Sequence, residues 1–134
     1  MLFENAVYPG VKEMLETLNA AGKRLYVATS KPTVYAVRIL QHFDLNNQFV
    51  GIYGSELDGT RTNKADLLAY LLEVEHLLPS TVAMVGDRKH DVLGARRNGF
   101  LAVGVTYGYG SETEIREAGA DALCRTLAEV TLTP

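Results

Sequence analysis

Val82-Ala83-Met84-Val85-Gly86-Asp87-Arg88-Lys89-His90-Asp91 is the stretch on which the fold turns. Four apolar residues run without interruption to a glycine, and two carboxylates follow, four positions apart. An apolar run with no polar alternation is the pattern of a strand buried on both faces of a parallel sheet. Gly86 lets the chain turn sharply off that strand. A short helix from Asp91 to Asn98 follows, with Gly99 as its stop.

The same alternation extends in both directions. Upstream, Pro9-Gly10 opens a helix with Val11, Met14, Leu15 and Leu18 on one face, and Gly22 ends it. Leu25 to Ala28 is a second buried strand, and it runs into Thr29-Ser30-Lys31-Pro32. A helix from Thr33 to Phe43 follows, with Ala36, Ile39, Leu40 and Phe43 as its stripe. Phe49 to Tyr53 is a short strand. A polar loop from Gly54 to Asn63 leads to a helix from Lys64 to His76, whose inner face is Leu67, Leu68, Leu71 and Leu72. Downstream, Leu101 to Val105 is another buried strand, Tyr107 to Ser111 a glycine-rich loop, and a weaker helix and a strand from Asp121 to Leu123 close the pattern. Strands alternating with helices give an α/β fold with a parallel sheet, and such sheets place their chemistry at the carboxyl ends of the strands.

The totals fit a single domain, residues 1–134: the chain is 47% hydrophobic and 22% charged. A net charge of -3 gives no basic footprint for nucleic acid. Cys124 is the only cysteine and sits in an apolar run, so it reads as a buried small side chain in a reducing compartment. No apolar run approaches the roughly 20 residues that span a bilayer, and the first residues lack the basic start of a secretory signal. No membrane association and a cytoplasmic location are the expectations.

The polar residues that stand at strand ends are the candidates for chemistry. Asp87 and Asp91 are hard oxygen donors able to converge on one point. Magnesium is bound in this way, through one or two carboxylates together with water and substrate phosphate. The structural alternative is that Asp91 caps the helix while Asp87 holds the turn. Thr29 and Ser30 offer hydroxyl and backbone N–H donors to an anion, or serve as a cap before the helix at Pro32. Lys64 begins a helix, where the macrodipole disfavours a cation. It is either held there for an anionic ligand or solvated.

Taken in order, strand-Thr29, helix-start Lys64 and strand-Gly86-Asp87-x-x-x-Asp91 resemble the haloacid dehalogenase (HAD) superfamily, in particular its phosphoglycolate-phosphatase-like members. Tyr53-Gly54-Ser55-Glu56-Leu57-Asp58-Gly59 and Tyr107-Gly108-Tyr109-Gly110-Ser111 are also similar to that group. The resemblance implies a three-layer, Rossmann-like core with a parallel sheet. It implies a magnesium-dependent phosphatase acting on a small phosphomonoester, phosphoglycolate-like or nucleotide-like. Thr29, with Ser30, would hold phosphate; Lys64 would neutralise the phosphoryl group; Asp87 would bind Mg2+; and Asp91 would support that site. A phosphotransferase of the sugar-phosphate mutase kind uses the same core, and a non-catalytic phosphate-binding or interaction module would keep fold and metal site without turnover.

One part of the family pattern is absent. Its first motif is Asp-x-Asp-Gly-Thr at the end of the first strand, where one aspartate attacks phosphorus and the other serves as acid and base. No Asp-x-Asp occurs in this chain, and Asp58-Gly59-Thr60 reads as a turn. The cap that selects substrate in the family is also not represented. The expectations are therefore a piece of a longer protein, near-zero turnover by this polypeptide, and a sheet that lacks its central strand. Two unpaired interior edges would follow, liable to pair with each other or with another chain. Leu2 to Tyr8 is a poor substitute strand, because Glu4-Asn5 interrupts it.

Other polar residues read as surface. His42, His76 and His90 have no second histidine at metal spacing, though His90 lies between the two aspartates. Glu56 and Asp58 belong to a polar loop, Arg88 and Lys89 to a solvated turn, and Arg96-Arg97 to a helix surface.

Overall fold

The computed structural model describes residues 1–4, 10–61, 63–106, 112–126 and 129–130. The expected loop from Tyr107 to Ser111 lies outside them. Six strands form one sheet: β1 (Leu2–Phe3), β2 (Tyr26–Pro32), β3 (Gly51–Ser55), β4 (Ala83–Gly86), β5 (Leu101–Val105) and β6 (Ala122–Cys124). All pairings are parallel, in the order β3-β2-β1-β4-β5-β6. Five helices connect them: α1 (Val11–Ala20), α2 (Thr33–His42), α3 (Lys64–Glu75), α4 (Lys89–Arg97) and α5 (Glu112–Ala118).

Successive strand residues face opposite sides of the sheet, and two hydrophobic clusters result. Phe3, Val27, Ala83 and Val85 pack with Val11, Met14, Leu15 and Leu18 of α1 and Leu40 of α2. Leu2, Tyr26, Ala28 and Met84 pack with Leu67, Leu68 and Leu71 of α3 and with Val92 and Ala95 of α4. The expected inner face of α1 is buried, and so is that of α3 except for Leu72, which is partly buried, at roughly 1.5–3 kcal/mol for each large side chain fully removed from water. The stripe proposed for α2 is narrower: Ala36 and Leu40 are buried, but Phe43 is 51% exposed. The helix ends at His42 and Asp44 takes positive φ, so Phe43 is turned out against the ring of His42.

The expected gap in the sheet is filled from within the chain. Leu2 pairs in register with Tyr26 on one side and Met84 on the other, and Phe3 with Val27 and Val85. Both interior edges are thereby satisfied. Two residues suffice because each supplies one cluster: Leu2 is fully buried on one face and Phe3 2% exposed on the other. Glu4, which breaks the apolar run, does not break the strand, because it lies just past its end.

The sheet also decides where a ligand would sit. From β1 the chain winds outward through β2 and β3, then crosses to β4 on the other side. Neighbouring strands that lead away in opposite directions leave a crevice at their carboxyl ends. Here it lies beyond Phe3 and Gly86.

Candidate active site

Four buried polar residues stand at this rim: Thr29 (3% exposed), Lys64 (4%), Asp87 (5%) and Asp91 (0%). Thr29 lies in β2, within the shift of register between Ala28 and Pro32. Its hydroxyl accepts a hydrogen bond from the backbone N–H of Lys31 at 3.2 Å, which closes a tight local turn. Ser30 is half-buried, and its carbonyl accepts the Ser55 hydroxyl at 3.0 Å, tying the ends of β2 and β3 together.

Lys64 is the first residue of α3. Asn63 caps that helix, its Oδ1 accepting from the N–H groups of Ala65 (2.9 Å) and Asp66 (3.3 Å). The Lys64 stem passes over α4 at Gly94, where a Cβ would come within 2.8 Å of Lys64 Cγ. Its ammonium donates to the carbonyl of Ala28 at 2.8 Å and lies 3.1 Å from Asp91 Oδ1. Burial pushes its pKa below the ordinary lysine range, while the charges of Asp91 and Asp87 oppose that shift. The cation disfavoured at a helix start is thus held by carboxylates from a neighbouring loop and helix.

Asp87 follows Gly86 directly. A Cβ at Gly86 would lie 2.5 Å from Asp91 Oδ2, so only glycine lets the strand end approach the Asp91 carboxyl. Asp91 Oδ2 accepts the N–H of Arg88 at 3.3 Å, which caps α4. The capping reading of Asp91 therefore holds: one oxygen caps the helix, and the other faces the Lys64 ammonium. His90 is exposed, with Nε2 3.7 Å from Asp91 Oδ1. Arg88 turns away to Glu114 at 3.2 Å. Asp58-Gly59-Thr60 is the expected turn, Asp58 Oδ1 accepting the Thr60 N–H at 2.9 Å, and Glu56 pairs with Arg61.

Glu4 was missed by the sequence reading. Its Oε1 accepts the Thr29 hydroxyl at 3.1 Å, and its Oε2 pairs with the Lys64 ammonium. The signal was present, since Glu4 is a polar residue directly after an apolar pair, the rule that exposed the other candidates. Only the shortness of Leu2-Phe3 concealed it.

Hard carboxylate oxygens are the donor set magnesium requires. Asp91 Oδ1 and Glu4 Oε2 are buried, and neither accepts a hydrogen bond of good geometry. Around the single Lys64 ammonium stand the carboxylates of Glu4, Asp91 and Asp87, an excess of negative charge that a divalent cation would balance. Among the described residues no three acidic, histidine or cysteine side chains are gathered as a ready-made metal cage. A site completed by water and substrate phosphate does not need one. The residues fit the ion, with Asp87 as the first candidate ligand.

Comparison with known proteins joins this geometry to a family. The family model for haloacid dehalogenase-like hydrolases matches residues 4–105. The chain belongs to this family. It is 51% identical over 127 residues to a 5'-nucleotidase of Pseudomonas aeruginosa, covering 95% of this chain and 58% of that protein. It is 45% identical over 106 residues to the tyrosine-protein kinase PtkA of Mycobacterium tuberculosis, covering 79% and 36%. Among solved structures, a protein described as a predicted phosphatase from Clostridium acetobutylicum superimposes with a TM-score of 0.92 at 41% identity, covering 94% of this chain and 58% of that one. The HAD-like chain thus spans about half the length of the relatives it matches, or less. Among the described residues no helix is long and apolar enough to cross a membrane.

Proposed function

We propose that this domain, residues 1–134, is the phosphate-gripping part of a magnesium-dependent HAD phosphatase acting on a small phosphomonoester. One observation carries the reading. The buried Lys64 ammonium is met by Asp91 at the carboxyl end of the sheet, with Thr29 and Asp87 beside it. A buried cation held by carboxylates costs desolvation, which stabilisation of the fold alone repays poorly. It is well suited to neutralising a phosphoryl group, where catalysis rests on positioning and charge. Thr29 and Ser30 would hold phosphate oxygens, Lys64 would neutralise their charge, and Asp87, supported by Asp91, would hold magnesium. Magnesium would act as a Lewis acid on the phosphoryl oxygens.

The relatives favour a nucleotide- or phosphoglycolate-like substrate, since 5'-nucleotidase and phosphoglycolate phosphatase are the names borne by similar proteins. With no Asp-x-Asp in the chain, the polypeptide itself is expected to show near-zero turnover. A second reading, transfer of the phosphoryl group to a hydroxyl acceptor instead of water, is favoured by the likeness to PtkA. A module that binds phosphate without turnover keeps the same site and is a third. The proposed setting is cytoplasmic.

Two assays test the proposal. Magnesium and inorganic phosphate together should raise Tm, and Lys64→Met and Asp87→Asn should each remove the shift; no shift in the unaltered protein would refute it. Phosphate release from a generic phosphomonoester should stay at background. Robust turnover abolished by Asp87→Asn would show that the chain carries its own nucleophile.

A further inference from the structure

Asp87 is followed by two residues that reach a carboxylate on another element. Arg88 Nε and the backbone N–H of Lys89 each donate to Glu114 Oε1 at 3.2 Å. Lys89 opens α4, so its N–H has no acceptor within that helix. The N–H of Arg88, by contrast, is taken by Asp91 of α4 itself. The short turn that carries Asp87 is thus tied to its own helix by Asp91 and to α5 by Glu114.

Glu114 is the fixed partner in this contact. Its neighbour Ile115 is fully buried against the bare backbone of β5, where a Cβ at Gly104 would overlap Ile115 Cγ2. The far end of α5 is held as well, since Arg96 Nη1 donates to the Gly119 carbonyl at 2.9 Å. Helix α5 is therefore seated on β5 and α4 without help from Arg88, and it presents its carboxylate at a set height beside the turn. Arg88 is 46% exposed, and an ion pair so open to solvent contributes little to stability. What the contact does is constrain the turn: one carboxylate oxygen receives charge-assisted hydrogen bonds from two successive residues.

We propose that Glu114 is a positioning residue for Asp87, holding the turn so that the Asp87 carboxylate meets magnesium in the geometry the ion demands. The proposal rests on the reading of Asp87 as the magnesium ligand. Magnesium tolerates little departure from its preferred geometry. Groups that orient a ligand without touching the metal therefore govern affinity through that ligand. Glu114 acts in this way, through the side chain of Arg88 and the backbone of Lys89. Its part differs from that of Asp91, which faces Lys64.

The test is isothermal titration of magnesium, at fixed inorganic phosphate, into the unaltered protein and into Asp87→Asn, Glu114→Ala, Glu114→Gln and Glu112→Ala. Glu114→Ala should bind magnesium about tenfold or more weakly than the unaltered protein. Glu114→Gln removes the charge but keeps an acceptor oxygen, so it should regain most of that loss. Glu112 lies on the same helix and pairs with Arg116 and Arg125, so Glu112→Ala should match the unaltered protein. Unchanged affinity in Glu114→Ala, with binding abolished in Asp87→Asn, would overturn the positioning role and leave the metal reading standing. Equal losses in Glu114→Ala and Glu112→Ala, or a Glu114→Gln as weak as Glu114→Ala, would do the same, since fold or charge alone would then explain the effect. Absence of magnesium binding in the unaltered protein would overturn both. A second measurement covers a Glu114→Ala that fails to fold. Coupling between two sites is reciprocal, so in the unaltered protein saturating magnesium should slow hydrogen exchange at the Lys89 amide about tenfold. An exchange rate that the ion leaves unchanged would overturn the proposal.

Discussion

Gly94 leaves the space that the Lys64 stem fills: a Cβ at position 94 would lie 2.8 Å from Lys64 Cγ and 3.3 Å from Lys64 Cβ. The helix α4 thus carries its glycine at the point where α3 crosses it, and the crossing sets the height of the ammonium over the sheet rim. In an exposed helix, alanine in place of glycine gains about 1 kcal/mol. Here the added methyl meets a stem anchored close to its own backbone, and overpacking costs about 1–3 kcal/mol. Gly94→Ala should therefore destabilise the protein by about 1 kcal/mol. A urea midpoint equal to or above that of the unaltered protein would show that the contact yields.

Asn63 holds the other end of Lys64 by capping α3 through two N–H groups. Asn63→Ala should cost about 1 kcal/mol, read as a fall in Tm of about 4 °C. Asn63→Asp keeps the acceptor oxygen and should restore most of the loss. A Tm unmoved by either substitution would mean that packing alone fixes the helix start.

Asp91 is fully buried between the Arg88 N–H and the Lys64 ammonium. Breaking a buried pair by removing one charge costs about 3 kcal/mol. Asp91→Asn should approach that figure from below, because Glu4 remains on the ammonium. In a double-mutant cycle with Lys64→Met the two effects should fall short of additivity, which strict additivity of the urea-derived stabilities would contradict.

Tyr53 donates its phenol to Glu75, and burial together with that hydrogen bond pushes its pKa well above the ordinary 10.0. The folded chain keeps a proton that the unfolded chain releases above pH 10, so this group's contribution to stability declines as pH rises past the ordinary tyrosine value. Tyr53→Phe should lose less stability than the unaltered protein between about pH 9 and pH 11. A residual slope is expected from Tyr26, also raised by burial and by the charge of Glu75. Parallel stability-versus-pH curves for the two proteins would refute the assignment.

The sequence reading was strongest where chemistry and periodicity coincide. The apolar runs before Thr29 and Gly86 announce buried strands, and the polar residues after them turned out to be neighbours. Lys64 stood out because its place defied the helix dipole. Strand limits were less legible: β3 begins at Gly51, two residues after Phe49, because a short 3-10 turn over Asn46–Gln48 carries the chain past Phe49 before pairing begins. Leu2-Phe3 was illegible as a strand because its apolar run, Met1-Leu2-Phe3, is only three residues long. Its stability comes from partners on both sides, which local pattern does not display. Glu4 and Gly94 went unread for a related reason. A side chain's meaning at the end of a strand, or a glycine's inside a helix, depends on what crosses there.

The shortness of β1 has a mechanical consequence. On each side it meets its neighbour through two register pairs, against four between β4 and β5. Strands β2 and β3 form one panel and β4, β5 and β6 another, with Leu2 and Phe3 as the hinge pin between them. A pulling force applied across the sheet would open the molecule along this line first, and it would draw out, with the pin, the carboxylate lodged against Lys64.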